Sequence, residues 1–362
     1  MLLLPLYLDF LGANRWTIGL IMSVSVIGAL LVRPAVGWSL DVVGRRPTLI
    51  VGTVVLSVGM FLVAAVTEVG WMAYGMRLLV GIGTATLFTA YFTAAADVVP
   101  VARRTEGLAL FGISGLVPLL VNPISGWVGV DAPGLRWFLP GVGVLVLLSL
   151  FFVVPLQDRS SVRTPSAVKM GNALRALAHR TLWPVWLATL VFAGMVAVFM
   201  TFVTVVAASR GIGDPATVWL TYALGAVCVR LFGATLPARV GPSRLFAPAI
   251  AAYIGGVVVA STVSSSSGFA VAGLLAGVGH GYCFPILSGQ VVTRMPDALR
   301  GTAMSTFTAL WDLAKLLVVP VMGWIADSWG DGAMLHSVAV LASVGVAGWA
   351  LLEWWSKPPP SS

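Results

Sequence analysis

Arg33-Pro-Ala-Val-Gly37-Trp-Ser-Leu-Asp41-Val-Val-Gly44-Arg45-Arg46-Pro47 is the stretch on which the fold turns. It sets a carboxylate, a glycine and two adjacent arginines at the junction of two apolar runs. Arg33, Gly37, Asp41 and Gly44 are echoed 197 residues later by Arg230, Ala234, Ala238 and Gly241. The same offset carries Pro123, Gly126 and Trp127 onto Pro320, Gly323 and Trp324, and Arg103 onto Arg300. One shift without slippage at three separated places marks two related halves in the same order. In so apolar a chain, a parallel repeat of that length predicts two six-helix bundles.

Composition names the solvent. Hydrophobic residues make up 59% of the chain and charged residues 9%, and the mean hydropathy is +0.98. A soluble protein carries roughly a quarter of its residues charged, so most of this surface is expected to face lipid. The 40 glycines suit helices that approach closely in a bilayer, where lipid provides no hydrophobic drive between them. Porin-type strand alternation is absent. Cys228 and Cys283 both lie in apolar runs, so they read as small core residues and not as a disulfide or metal pair.

Apolar runs of about 20 residues, enough to cross ~30 Å of hydrocarbon, predict helices over 16–39, 47–67, 71–96, 105–128 and 135–156. A second set falls at 182–208, 216–237, 245–263, 268–293, 301–326 and 332–355. Residues 1–11 rise about 16 Å as a helix, about half a bilayer. By the repeat they form the outer half of helix 1. A secretory signal peptide is the competing reading, but no basic segment precedes the apolar stretch. The expectation is a truncated helix 1, from a start placed too late, in an all-α membrane protein with about 11.5 transmembrane helices. Its two bundles are related by a pseudo-two-fold axis. The N-terminal bundle is expected over 1–156, a basic linker over 157–181, the C-terminal bundle over 182–357 and a disordered tail over 358–362.

The net charge of +8 raises the question of nucleic acid, and its distribution answers it. Of 21 Lys and Arg, fourteen fall on one side, among them Arg45, Arg46, Arg103, Arg104, Arg159, Arg163 and Lys357. Three, Arg15, Arg136 and Arg210, fall on the other, and four (Arg33, Arg77, Arg230, Lys315) lie within spans. Such asymmetry is a topology signal, with the basic side cytoplasmic. It places the linker and the C-terminus inside and makes lipid headgroups the expected contact of the charge. No nucleic acid is expected, and the chain reads as a monomer.

Within the opening stretch, Gly37 is suited to close helix contact and Gly44 to a turn that needs positive φ. Arg45 and Arg46 are placed to anchor the turn at the inner leaflet. Asp41 is placed to face a helix N-terminus of the other half, whose partial positive charge would stabilise it. That contact would hold only while the cytoplasmic side is closed.

Here the chain resembles the major facilitator superfamily. The signature of that family between helices 2 and 3 is Gly-x-x-x-Asp-x-x-Gly-Arg-(Lys or Arg), and residues 37–46 fit it. The second copy departs from it, with Ala238 in place of the acid, so a charge latch there is one-sided. The resemblance implies transport by alternating access. It also implies a pairing of a loop arginine with an acid ending helix 4, for which Asp97 has the position. The implied cytoplasmic gate is Asp41, Arg45 and Asp97, closing against helix 11; an ordinary loop acid is the alternative for Asp97. Arg77-Leu-Leu-Val-Gly81-Ile-Gly83 resembles the second motif of the family, which implies a part in proton transfer. Snorkelling of Arg77 to the surface is the alternative. The antiporter motif of helix 5, Gly-Pro-x-x-Gly-Gly, reads here Asn122-Pro123-Ile-Ser-Gly126-Trp127. Two defining glycines are gone, which weakens the implication of export, and Asn122 is a candidate to point into the cavity instead.

Asp312 and Lys315 are three apart and share a helix face deep in a span. A coupling proton carried by Asp312, a substrate contact and plain packing all remain open. His280 is a candidate proton relay or a hydrogen-bonded packing residue. Asp9 is a further coupling or outer-gate candidate. Tyr91, Gln290 and Trp311, with Arg33 and Arg230 at the cytoplasmic mouth, are candidates to line the pathway. No Gly-x-x-x-x-Gly-Lys-(Ser or Thr) loop occurs, so no ATP chemistry is expected. No His-Glu-x-x-His or Cys/His cluster occurs either, so no metal, no cofactor and no enzyme activity are expected. The leading expectation is proton-coupled export of a small sugar- or drug-like molecule from a bacterial cytoplasmic (inner) membrane. An uncoupled or symport-type importer of the same fold is the second, and a non-transporting sensor or scaffold the third.

Overall fold

The computed structural model describes residues 1–99, 114–115, 117–156, 178–233, 235–295 and 299–355. Arg103, Arg104, Ala234, most of the linker and the tail lie outside the described residues. Among the described residues there is no strand, and nine helices are long and apolar enough to cross a membrane. The chain divides into two compact units, Met1–Ala167 and Val168–Ser362.

The first unit contains α1 (Leu4–Phe10), α2 (Arg15–Val42), α3 (Arg45–Phe61), α4 (Trp71–Val98), α5 (Val121–Trp127) and α6 (Leu135–Leu148), the last extended by Leu150–Val153. The second contains α7 (Trp183–Ser209), α8 (Thr217–Phe232), α9 (Pro242–Thr262), α10 (Ser266–Thr293), α11 (Arg300–Trp329) and α12 (Asp331–Trp355). Asn14 caps α2 by accepting from the Thr17 amide at 2.9 Å, and Ser265 caps α10 by accepting from Gly268 at 3.2 Å. Each oxygen satisfies an amide that the first helical turn leaves unpaired. The span expected over 216–237 is broken. α8 ends at Gly233, and a short helix, Leu236–Val240, follows. Pro237 has no amide to continue the bonding of α8 and sits instead in the first turn of the new helix, where proline is tolerated.

The repeat is also visible in the backbone. Gly44 has φ 117° between α2 and α3, and its echo Gly241 has φ 97° just before α9. L side chains avoid that region, so the turn needs glycine in both halves. α4 packs chiefly on α2 and α3, and α10 packs chiefly on α8 and α9. The same Gly-x-Gly device serves both helices. A Cβ at Gly81 would strike the Ser25 carbonyl oxygen of α2, and one at Gly83 would fall 2.5 Å from the Leu56 amide of α3. In the second unit, a Cβ at Gly277 would strike the Tyr222 carbonyl oxygen of α8, and one at Gly279 would lie 2.7 Å from that of Ala249 on α9. Small residues at these crossings are what bring the backbones together.

α1 is short but fixed. Leu3, Leu4 and Leu8 are buried, and Tyr7 Oη donates to the Val66 carbonyl at 2.5 Å, just past the end of α3. Arg136, at the start of α6, donates to the Ala64 carbonyl at 2.7 Å. These bonds satisfy carbonyls that the end of α3 leaves unpaired.

Candidate functional site

The turn between α2 and α3 is held by Arg45. Its Nη1 donates to the Leu40 carbonyl at 2.6 Å, and its Nε donates to Asp97 Oδ2 at 2.9 Å. One guanidinium therefore ties the end of α2 and the start of α3 to the end of α4. Its fork of donors can serve several acceptors at once, which a lysine ammonium does less well. Arg45 is only 7% exposed, so it is an internal brace and not the headgroup anchor expected from its place in the turn. Beside it Val36, Leu40, Leu49, Leu87, Ala90 and Val153 form a buried cluster, with Tyr91 packed on its edge. Asp41 is half-buried, and among the described residues no ion pair is recorded for it. Arg46 is half-buried in the turn. A Cβ at Gly37 would meet nothing within 4 Å. Among the described residues, close approach within this unit is made at Gly81 and Gly83.

Arg77 of α4 is buried, at 3% exposure. Its Nη2 donates to Ser25 Oγ at 2.9 Å and to the Met22 carbonyl at 3.2 Å, both on α2. The snorkelling alternative fails, because the side chain turns to the neighbouring helix. Asn122 is also buried. Its amide donates to the Leu119 carbonyl at 3.0 Å, and its own carbonyl accepts from Ser125 Oγ at 2.7 Å. The first bond folds the Asn122 side chain back onto the preceding turn, and the second is made by its backbone. Asp9 forms an ion pair with Arg15 between α1 and α2.

In the second unit, rings converge around His280. Its Nδ1 lies 2.6 Å from Tyr222 Oη. Phe192 of α7 stands edge-on to His280, with centroids 5.5 Å apart, and edge-on to Trp311 at the same distance. Phe284, one turn along α10, stacks on His280 at 17° and meets Trp311 at 5.6 Å. Tyr253 of α9 stands edge-on to Phe192 at 5.6 Å, and Phe307 of α11 to Phe284 at 5.8 Å. Asp312 and Lys315 follow Trp311 on α11, and both are half-buried. Arg33 and Arg230 are half-buried too.

A polar knot lies at the end of the same unit where α10 finishes. Arg294 grips Glu353 of α12 with two bonds, of 2.7 and 3.0 Å. Ser243 of α9 donates to the same carboxylate at 2.7 Å, and Arg294 also reaches the Thr181 carbonyl at 3.0 Å. Gln290, 4% exposed, lies 3.5 Å from Ser243. It therefore belongs to this knot.

A model of the Major Facilitator Superfamily matches residues 1–319. The chain belongs to that superfamily. An uncharacterized MFS-type transporter, YhhS of Salmonella paratyphi C, is 24% identical over 376 residues, covering 99% of this chain and 88% of its own. YhhS of Escherichia coli K12 is 23% identical with the same coverage. Among solved structures, the nucleoside transporter NupG superposes with a TM-score of 0.76 at 13% identity, over 99% of this chain and 95% of its own. A D-xylose-proton symporter gives 0.74 at 16% identity, over 95% and 88%. The chain is thus a multi-pass membrane protein of an MFS transporter family, with the all-helical fold of that family.

Against this superfamily frame, the structure joins Arg45 to Asp97 and Arg77 to α2, and it gathers His280 and Trp311 into one cluster. Reasoning from the sequence did not single out Phe192, Tyr222, Phe284 and Phe307. The signal was there in part, since Phe284 follows His280 by four residues and Phe307 precedes Trp311 by four, the spacing of one helix face. It also did not single out the Arg294–Glu353 knot. The 197-residue offset carries Asp97 onto Arg294. A repeat sought as identity overlooks a charge that has changed sign.

Proposed function

We propose that this chain is a secondary transporter of the bacterial cytoplasmic membrane. Working as a monomer, it moves a small organic molecule by alternating access and exports it in exchange for protons. Its basic ends face the cytoplasm. The gate is Asp41, Arg45 and Asp97. The observation that carries this reading is the division of labour at the α2–α3 turn. Arg45 bonds Asp97 and the Leu40 carbonyl within its own bundle, while Asp41, one turn earlier, acts as the latch toward the opposite bundle. A carboxylate in that role is stabilised by a helix N-terminus. Its loss favours the state open to the cytoplasm by as much as the contact differs between states.

Asp312 is proposed as the proton carrier and Lys315 as its counter-ion. A carboxylate and an ammonium half-buried one turn apart in a span are costly there unless they are used. Solved structures of the same fold include one named as a proton symporter, which supports proton coupling as a chemistry open to the fold. A second reading, transport without proton coupling, is favoured by Asn122 and Trp127 standing where the antiporter motif has glycines.

Flux into proteoliposomes, measured with and without an imposed proton gradient, tests both. Under the first reading the gradient accelerates flux at least about tenfold. Asp312→Asn abolishes that acceleration but leaves substrate exchange. Asp41→Asn lowers turnover with little change in thermal midpoint. Gradient-independent flux in the unmodified protein removes Asp312 from its role and establishes the second reading. Full turnover in Asp41→Asn discards the latch.

A further inference from the structure

We infer that the C-terminal bundle carries a binding site for a flat, neutral or anionic aromatic ring, built on His280, Phe284 and Trp311. The inference rests on the transport reading and names the substrate class of that function.

Rings from α7, α8, α9, α10 and α11 meet at this one place, so it belongs to the interior of the bundle and not to a lipid-facing side. Phe192, Tyr222 and Phe307 are fully buried and form a floor. His280, Phe284 and Trp311 are half-buried above it. Their mutual geometry is edge-to-face or tilted, apart from the near-parallel His280–Phe284 pair. Such an array offers both faces and edges to one more ring, the arrangement in which aromatic quadrupoles attract.

Two polar atoms give the patch a direction. Trp311 Nε1 is enclosed, and among the described residues it has no hydrogen-bond partner. An indole N–H is only a donor, and leaving one buried without an acceptor is costly. An acceptor on a bound molecule relieves that cost once the half-buried indole turns its edge, which is enclosed here, toward the ligand. His280 uses Nδ1 on Tyr222, which leaves its other ring nitrogen as one further donor or acceptor. So few polar groups suit a ring with one or two acceptors. A sugar would bring a belt of hydroxyls that find no partners here, each at a desolvation cost. Arg230 is close enough to act electrostatically on both Tyr222 and His280, which disfavours a cationic ring.

The test uses the purified full-length chain in nanodiscs, with binding read as a shift in thermal midpoint. The probes are benzoate and nicotinamide, with cyclohexanecarboxylate and ribose as controls, each up to about 10 mM, where even millimolar affinity registers. The aromatic pair is expected to raise the midpoint and the saturated pair to leave it unchanged. Phe284→Leu is expected to weaken aromatic binding about fivefold through lost stacking. Trp311→Phe keeps a ring but removes the donor, and is expected to weaken it about threefold. Both changes are close to volume-conserving at half-buried positions, so the fold should survive. Ribose or cyclohexanecarboxylate binding as well as the aromatic probes overturns the inference. So does no response to either aromatic probe, or variants that bind as the unmodified chain does. Aromatic binding without any flux in vesicles would sink the transport reading alone. Flux of a non-aromatic solute that is indifferent to both variants would sink only this inference.

Discussion

Arg45 shows how one residue can bear a structural and a functional duty through the same atoms. Its Nη1 satisfies the Leu40 carbonyl at the end of α2, and its Nε holds Asp97 of α4. Removing it exposes two debts, a buried carbonyl and a carboxylate whose side chain is 24% exposed. Arg45→Ala should therefore destabilise by about 2–4 kcal/mol. Asp97→Asn, which retains an acceptor, should cost less, and the double variant should fall well short of the sum. Thermal midpoints of the three variants check this, and strict additivity would mean that the pair does not couple. Arg294 and Glu353 pose the same problem with the polarity exchanged, since the residue capping the end of α10 is now the base and α12 supplies the acid. Glu353→Arg alone should lower the midpoint sharply, because it sets two cations side by side. Adding Arg294→Glu should restore most of the loss. If the reversed pair is no better than the single change, the fork geometry and the Ser243 bond matter more than charge.

At the scale of the element, the helices were legible wherever an apolar run ended in punctuation. α2, α4 and α10 begin within a few residues of their expected starts because the loops before them offer Asn14, Gly70 or Ser265, and α7 does so with Pro184 in its first turn. α8 is shorter than its apolar run, since hydropathy continues past Gly233, where the helix is capped, and Pro237 opens a separate short helix. Which face of a helix matters was harder to read. When nearly every side is apolar, periodicity loses its contrast, and the ring cluster around His280 stayed hidden although its members lie at helical spacing. Glycine carries the information instead, and α4 provides a controlled comparison. Gly75 and Gly81 stand on the same helix, but a Cβ at Gly75 meets nothing within 4 Å, whereas one at Gly81 strikes the backbone of Ser25. Gly75→Ala should be neutral or stabilising by up to about 1 kcal/mol from helix propensity. Gly81→Ala should force α2 and α4 apart and lower the thermal midpoint strongly. Equal effects at the two positions would refute the reading of Gly81 as a helix contact.

For the whole molecule, the duplication was the most legible property and orientation the least directly visible. An echo at one fixed offset is a statement about history that survives divergence, and the positive φ at both Gly44 and Gly241 is its physical trace. Sidedness rests on a different kind of argument. It comes from the fourteen Lys and Arg that the sequence assigns to one side against three on the other, an asymmetry that acts during insertion and leaves little mark on packing. Two of those cations have structural duties of their own. Arg45 is buried in the α2–α3 turn, and Arg294 is bound to Glu353, so neither is free to meet a headgroup. Arg210, on the sparse side, donates to the carbonyls of Ala260, Ser261 and Val263 at the end of α9, a role open to it on either side of a membrane. The bias must therefore be tested and not assumed. In a background with Cys228 and Cys283 replaced, Gly213→Cys places a thiol in the α7–α8 loop, where a Cβ meets nothing within 4 Å. Ser161→Cys places one in the expected cytoplasmic linker. A membrane-impermeant maleimide added to intact cells should label the first and spare the second, and permeabilisation should expose both. The opposite pattern would turn the molecule over, put the Asp41 turn outside, and remove the cytoplasmic latch from the mechanism while leaving the ring site of the second bundle untouched.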